Sequence, residues 1–172
     1  MDKPQYSANL QNLLTVSRDE ALRLKNGAIG VEHLFLALIR LSEAQGHILL
    51  RDLGVNMQSI KTKIENLYGR ATSDIVYREE TELPMLRQTM QIVRRSYVES
   101  RNMKDGTVRT EHLVLAILGE GESTPAQLLH AAGVNYEIFL KAVVKLRGEQ
   151  PYSDGSELQT PDFSQQTSDD DN

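Results

Sequence analysis

The sequence predicts an all-α protein built from eight short helices, four in each of two repeats. Two observations carry this prediction. The segments 30–38 and 109–117 share Glu-His-Leu followed by apolar residues, and the same spacing of 79 positions aligns residues 6–67 with residues 85–146 without a gap. In both copies, apolar residues recur at intervals of three and four, which is the period of an amphipathic helix. A repeat that keeps its register over such a length indicates a duplicated structural unit.

The first helix of each repeat is predicted to be amphipathic. In the first copy the helical pattern runs through residues 10–24, with Ser7 as the cap at its start and Gly27 as its stop. The second copy repeats the pattern from Met85 to Met103, with Gly106 in the position of the stop. Both helices are therefore expected to bury one face and expose the other.

The second helix of each repeat is predicted to be its central helix. It begins near Val31 in the first copy and near Thr110 in the second, and residues 34–39 are all apolar. A helix that is apolar on most sides is buried on most sides. The core of each repeat should therefore form around this helix.

The third helix is predicted over residues 44–53 in the first copy and 125–132 in the second. In the second copy Thr124 is the predicted cap of this helix. Pro125 then occupies the first helical position, where the missing N–H of proline costs no hydrogen bond.

The fourth helix is predicted to start after Asn56 in the first copy and after Asn135 in the second, because asparagine is a favourable cap. Each repeat has about 60 residues, a size at which an isolated domain is only marginally stable. The two repeats are therefore expected to pack on each other.

The chain divides into four segments on this interpretation. Residues 1–68 form the first repeat, residues 69–84 a polar connection, residues 85–147 the second repeat, and residues 148–172 a flexible polar and acidic linker. Residues 74–77 are the part of the connection that is expected to be ordered. The linker has too few apolar residues to offset the entropy of ordering it.

Composition excludes several classes of function. The 172 residues carry a net charge of −5 and no long run of basic residues, so binding to nucleic acid is not expected. The chain has no cysteine, which excludes disulfides and thiolate zinc sites. It also lacks an apolar run that approaches the roughly 20 residues of a membrane span. We therefore expect a cytoplasmic protein without membrane contact.

No sequence motif of catalysis is present. The chain has no phosphate-binding P-loop, no dinucleotide-binding glycine motif, no zinc-protease motif and no nucleophile elbow. A hydrolase that uses Glu32 and His33 as an acid and base pair remains an alternative. Against it, adjacent residues of a helix point about 100° apart.

The histidines of the repeated segment, His33 and His112, have two interpretations. Metal ligation would need further ligands, and the other histidines, His47 and His130, do not occupy matching positions. A structural role at the start of an apolar helix explains why both repeats contain the residue. We expect the structural role, and no metal.

The carboxylates beside them, Glu32 and Glu111, also have two interpretations. Each falls in the first turn of its helix, where a negative charge interacts favourably with the free N–H groups. Alternatively, each carboxylate accepts two hydrogen bonds from a guanidinium group of a partner. An anion next to that guanidinium would need a helix start, and Ser7 offers one in the first repeat. The matching position in the second repeat is Leu86, which has no polar side chain.

The motifs resemble those of a known family. A double repeat with Tyr6-Ser7 near its start, Asp19-Glu20-Ala21-Leu22-Arg23-Leu24, and Glu-His-Leu in both copies is similar to the N-terminal domain of Clp/Hsp100 AAA+ unfoldases. Because both copies keep Glu-His-Leu, the resemblance is strongest to the ClpC type. It covers about residues 6–146.

The resemblance implies a compact, pseudo-twofold bundle that sits on a hexameric ATPase, while the isolated domain is monomeric. In that position it recruits adaptor proteins and protein substrates, which are unfolded and passed to the ClpP peptidase. The chain itself is expected to be noncatalytic and to need no cofactor, because ATP and magnesium belong to ATPase modules that are absent from this sequence. A freestanding accessory protein of the Clp protease is the alternative.

The resemblance also implies a ligand, phosphoarginine. In the family, the Glu of each Glu-His motif holds the guanidinium and the start of the first helix holds the phosphate. Ser7 and Glu32 match that pattern as a first site, although Val31 replaces the usual threonine. Thr110 and Glu111 match it as a second site, but Met85-Leu86 departs from it. One competent site is expected, in the first repeat.

Overall fold

The structure is a computed structural model that describes residues 3–69 and 82–149. The predicted ordered stretch at residues 74–77 and residues 150–172 of the predicted linker lie outside these residues, whereas linker residues 148–149 belong to the last helix. The helices, in chain order, are α1 (Ala8–Arg23), α2 (Val31–Arg40), α3 (Gln45–Asp52), α4 (Met57–Tyr68), α5 (Arg87–Asn102), α6 (Thr110–Glu120), α7 (Thr124–Ala131) and α8 (Tyr136–Glu149). The described chain therefore confirms the prediction of eight helices, four in each repeat. Among them, none is long and apolar enough to cross a membrane.

Three of the predicted caps are present. The side chains of Ser7, Asn56 and Asn135 each accept a hydrogen bond from the backbone N–H three residues later. The cap predicted at Thr124 is wrong, because Ser123 has an extended backbone and its Oγ accepts from the Ala126 N–H at 3.3 Å. The helix thus begins one residue earlier than predicted.

The predicted stops at Gly27 and Gly106 are also wrong by two residues. Lys25 and Lys104 adopt left-handed backbone conformations, with φ of 60° and 58°. In the first repeat the N–H of Asn26 then donates to the carbonyl of Ala21, the wrapping bond of a Schellman motif. A lysine, rather than the usual glycine, ends the first helix of both repeats.

The two repeats share one hydrophobic core. Within each repeat the first helix packs on the second, α1 on α2 and α5 on α6. Between the repeats, α3 packs on α6 and α7 packs on α2, and in the same way α4 meets α7 and α3 meets α8. This reciprocity is the pseudo-twofold relationship, and it makes α2 and α6 the central helices, as predicted.

The repeats also exchange backbone hydrogen bonds at the starts of their first helices. Strand β1 (Gln5–Tyr6) pairs in parallel with β2 (Thr107–Val108), and Ile29 forms the matching bridge with Met85. These contacts join residues far apart in the chain, and no local sequence pattern predicted them. Each first helix therefore starts against the opposite repeat.

Candidate functional site

Histidine caps the central helix of each repeat. The Nδ1 atom of His33 accepts a hydrogen bond from the Gly30 N–H at 2.8 Å, and Nδ1 of His112 accepts from the Arg109 N–H at 2.9 Å. Because Nδ1 is the acceptor, the proton of the neutral ring is on Nε2. Burial lowers the pKa of both histidines to about 4, so both rings are neutral near pH 7.

The two rings face different partners on their other side. In the first repeat, Nε2 of His33 donates to Asn26 Oδ1 at 2.7 Å, and the Asn26 amide donates to the carbonyl of Tyr68 at 3.2 Å. This set is neutral. Asn26 thereby connects the start of α2 to the end of α4.

In the second repeat the matching set is charged. Asp105 takes the place of Asn26, and its Oδ2 lies 3.5 Å from His112 Nε2 and 3.3 Å from Arg109 Nε. Arg147, at the position of Tyr68, donates to the same oxygen. Burial would raise the pKa of Asp105, but the hydrogen bond and charge of Arg147, with the charge of Arg109, lower it. A buried carboxylate with two guanidinium groups therefore replaces the neutral set of the first repeat.

Glu32 lies half-buried in the first turn of α2. Its carboxylate folds back over Gly30, where a Cβ atom would stand 2.5 Å from Oε2. Burial raises the pKa of Glu32, against the opposing hydrogen bond of its own backbone N–H. Within residues 3–69 and 82–149, this carboxylate forms no ion pair. It is a desolvated acceptor at the rim of the molecule.

Glu111 occupies a different environment. Its side chain is fully buried, and its Oε2 lies 3.9 Å from Nη1 of Arg147. The residue before it, Thr110, is also fully buried, and its Oγ1 accepts from the Gly46 N–H at 2.8 Å. The position equivalent to Gly30 is Arg109, a buried residue whose Nε lies 3.3 Å from Oδ2 of Asp105. The second repeat thus supplies its own guanidinium to its own glutamate.

The helix start beside each glutamate comes from the other repeat. The Leu86 N–H and the Thr89 hydroxyl both donate to the carbonyl of Ile29, at 2.9 Å each. The start of α5 is thereby bonded to the residue before Gly30, and the Glu32 carboxylate folds back over Gly30. The start of α1 lies in the same way against the second repeat, since the Ser7 N–H donates to Val108 at 2.8 Å. This bond joins Ser7 to the second repeat, whereas the sequence analysis grouped it with Glu32.

Because each helix start lies against the opposite repeat, the expected difference between the two sites changes. The start of α1 is capped by the Ser7 hydroxyl, which accepts from the Leu10 N–H at 3.1 Å. The start of α5 has no side-chain cap, because Leu86 is in the cap position. The glutamate that reaches the surface therefore lies beside the uncapped helix.

Sequence reasoning did not single out the three positions that make the repeats unequal. They are the pairs Asn26/Asp105, Gly30/Arg109 and Tyr68/Arg147, each separated by 79 positions. Each substitution in the second copy adds a charge. The signal was present as three charge-changing differences around the repeated His position, two within the aligned stretch and one, Tyr68/Arg147, immediately after it.

The described residues offer no metal site. Nowhere in residues 3–69 or 82–149 do three His, Cys, Asp or Glu side chains come together as a set of ligands. Both ring nitrogens of His33 and Nδ1 of His112 instead form hydrogen bonds with backbone groups or with the Asn26 side chain.

Comparisons with known proteins agree with this architecture. The family model of the Clp repeat (R) N-terminal domain matches residues 5–132. Chaperone protein ClpB of Oceanobacillus iheyensis is 30% identical over 147 residues, and the negative regulator of genetic competence ClpC/MecB of Bacillus subtilis is 28% identical over 144 residues. Each alignment spans 84% of this chain and 17% of the relative, so the chain corresponds to a small part of these relatives' length.

Solved structures share the fold. The N-terminal domain of ClpD from Arabidopsis thaliana superposes with a TM-score of 0.66 at 19% identity, over 84% of this chain and 96% of that domain. The N-domain of ClpV from Vibrio cholerae gives a TM-score of 0.69 at 14% identity, over 86% of this chain and 93% of that domain. A ClpV N-domain bound to a VipB peptide also matches, with a TM-score of 0.64 at 15% identity, over 83% of this chain and 96% of that chain. With its in-register repeat and eight-helix bundle, the chain belongs to the Clp repeat N-terminal domain family of the Clp/Hsp100 unfoldases.

Proposed function

We propose that this chain is the noncatalytic recruitment domain of a ClpC-like unfoldase in the cytoplasm. It binds adaptor proteins and protein substrates, which the ATPase modules of the longer protein unfold for degradation by ClpP. The similarity to ClpC/MecB of Bacillus subtilis supports the ClpC type. The ClpV N-domain that binds a VipB peptide supports a peptide-binding role for the fold. Within the recruitment domain, the ligand is an arginine that carries a phosphate.

One observation carries the site. Glu32 is a half-buried carboxylate without an ion pair among the described residues, and it lies beside the uncapped start of α5. A guanidinium group is the cation whose paired N–H donors best match a carboxylate. The free N–H groups at a helix start attract a phosphate. The two halves of phosphoarginine therefore have adjacent partners here.

The phosphate partner differs from the one expected from the sequence. The N–H groups of Arg87 and Gln88, in the first turn of α5, have no acceptor within the helix, as at any helix start. They take the role that the sequence analysis gave to Ser7. The site is thus shared between the repeats, with the carboxylate from the first and the helix start from the second.

The second glutamate is not proposed as a ligand site. Glu111 is buried, and Arg147 lies where an external guanidinium would have to enter. Thr110 is engaged with Gly46. Binding at this position would require removal of a guanidinium that the fold itself provides.

The test is a titration of the ¹⁵N-labelled chain with phosphoarginine, followed by backbone NMR. We expect the largest shifts at Gly30, Glu32 and residues 86–89, and we expect Glu32→Gln to abolish them. Glu43→Gln, which removes an exposed carboxylate elsewhere, is the matched control. Separate titrations with arginine and with inorganic phosphate should each give weaker binding. Shifts centred on Ser7, Thr110 and Glu111 would overturn the assignment.

A further inference from the structure

The solvent side of α5 has an unusual composition. Its outward residues, separated by three or four positions, alternate between arginine and apolar side chains, and all are exposed: Arg87, Met90, Arg94, Val98 and Arg101. On a helical projection they fall within a sector of about 80°. We call these five residues the α5 outer face. Met90 and Val98 are 43% and 51% exposed, which leaves two large apolar groups in solvent.

The fold does not require this composition. The helix α1 packs on α2 as α5 packs on α6, and its matching positions are Ala8, Gln11, Thr15, Asp19 and Leu22. None of these residues is basic. The same packing is therefore achieved without arginines, and without exposed methionine or valine, on the outer side.

The arginines of the face are available to a partner. Within the described residues, Arg87, Arg94 and Arg101 form no ion pair with a carboxylate, in contrast to the neighbouring Arg95, which pairs with Glu99 at 3.4 Å. Arg101 is held over the ring of Tyr97, 5.7 Å from its centroid, with a hydrogen bond of 2.8 Å to the hydroxyl. Three cations thus project from one helix of a chain whose net charge is −5.

A groove runs along one border of the face. It has a volume of about 470 Å³ and is lined by Arg94, Arg95, Val98, Asn102 and, from the end of α6, Glu120, among others. Its floor includes the buried side chain of Ile92. An apolar side chain of a partner helix could pack in this groove beside Val98.

We propose that the α5 outer face is the docking surface for an acidic, amphipathic segment of a partner protein. The inference rests on the proposed recruitment role and names the chemistry of one recruited partner. Carboxylates of the segment pair with the arginines, and its apolar residues cover Met90 and Val98. Because Met90 and Val98 lie between the arginines, the face favours a segment with apolar side chains over nucleic acid.

The probe is a fluorescein-labelled helical peptide of the length of α5, 16 residues, with glutamates and leucines on one face. Its affinity for the full chain is measured by fluorescence anisotropy. Arg94→Glu with Arg101→Glu should weaken binding on the order of tenfold, because each reversal replaces attraction by repulsion. Met90→Ser with Val98→Ser should weaken it about threefold or more.

The matched control is Lys141→Glu with Lys145→Glu, which makes the same change in net charge on the exposed side of α8. It should change the affinity by less than about twofold, since distant surface charges are screened. Circular dichroism checks that all variants keep their helices. Equal losses in the two charge-reversal variants would overturn the proposal, because the attraction would then be nonspecific. Equal binding of a scrambled peptide would overturn it as well.

Two other occupants are separate outcomes that would overturn the proposal. The first is competition by a single-stranded oligonucleotide that is as strong as competition by the unlabelled peptide. Alternatively, a spin label on Ser164→Cys, a unique attachment point in this cysteine-free chain, would broaden the α5 amides if the chain's own acidic segment covered them. If the wild-type chain binds phosphoarginine but not the peptide, this inference is contradicted and the phosphoarginine site is not.

Discussion

The N–H of Gly46 donates a hydrogen bond to Oγ1 of Thr110 at 2.8 Å, and this bond joins α3 of one repeat to α6 of the other. At the positions related by the repeat, the donor and the acceptor of this bond are both absent. Pro125 replaces Gly46 and has no N–H, and Val31 replaces Thr110 and has no hydroxyl. Loss of both partners leaves no buried polar group unsatisfied, whereas loss of one would. One side of the pseudo-twofold interface therefore has both the donor and the acceptor, and the other side has neither.

We therefore predict that Thr110→Val destabilises the protein by about 1–3 kcal/mol, although valine has the same shape as threonine. The substitution leaves the buried Gly46 N–H without this acceptor. Thr110→Ser, which keeps the hydroxyl, should lose less stability than Thr110→Val. Urea unfolding followed by circular dichroism measures the difference, and an unchanged midpoint for Thr110→Val would contradict the role of the bond.

The charged set of the second repeat should depend on Asp105. Asp105→Asn leaves Arg109 and Arg147 without their shared carboxylate, and we expect a loss of about 3–5 kcal/mol, the usual effect of breaking a buried ion pair. The triple variant Asp105→Asn, Arg109→Gly, Arg147→Tyr installs the neutral set of the first repeat and should recover most of that loss. If the triple variant were no more stable than Asp105→Asn, the two sets would not be interchangeable.

Local sequence patterns predicted most of the fold, and the features that they did not predict depend on long-range contacts. The helical period and the caps at Ser7 and Asn56 are local features, and they located the helices. Ser123 and Thr124 are both capable caps, so only the backbone of the folded loop distinguishes them. Lysine rarely adopts the left-handed conformation seen at Lys25, so composition favoured a later stop.

The site was predicted in part for the same reason. Glu32 was singled out by its repeated motif, but its neighbours were assigned from its own repeat. The hydrogen bond from Leu86 to Ile29 spans the two repeats, and no spacing within one repeat reports it. The difference between Gly30 and Arg109 was visible in the aligned copies, yet its meaning depends on where the Glu32 carboxylate lies.

The neutral histidines predict a specific pH dependence. Burial lowers the pKa of His33 and His112 to about 4, whereas an unfolded chain has the ordinary value near 6.5. Between these values the unfolded state binds more protons, so stability is complete above pH 6.5 and falls as the pH is lowered towards 4. At pH 5 each histidine should cost about 2 kcal/mol.

Other groups modify the loss in known directions. For Asp105, the guanidinium groups outweigh the effect of burial and lower the pKa, so its contribution is lost at still lower pH. The raised pKa of Glu32 acts in the opposite direction and offsets part of the loss. Urea unfolding at pH 7 and pH 5, with the proton uptake measured by calorimetry, checks the prediction. Equal stability at the two pH values, together with no proton uptake on unfolding at pH 5, would contradict the lowered pKa of the two histidines.

Gly30 should matter for binding more than for stability. A Cβ atom at this position would stand 2.5 and 2.6 Å from the two oxygens of Glu32, so Gly30→Ala must displace the flexible end of that side chain. We expect a loss of stability of less than about 1 kcal/mol, the cost of alanine in place of glycine at a helix cap. Phosphoarginine shifts in the NMR spectrum should nevertheless be lost. Retention of full affinity in Gly30→Ala would argue against the folded-back carboxylate as the ligand.

The most direct test of the central claim is the affinity for phosphoarginine, measured by isothermal titration calorimetry for three matched variants. The account predicts that Glu32→Gln loses binding by at least about tenfold, the size of a charge-assisted pair. Glu43→Gln and Glu111→Gln should bind as the wild type does, provided that each variant shows native helicity. Unchanged binding in Glu32→Gln, or a loss in Glu111→Gln that equals it, would contradict the assignment of a single site between the first repeat's glutamate and the start of α5.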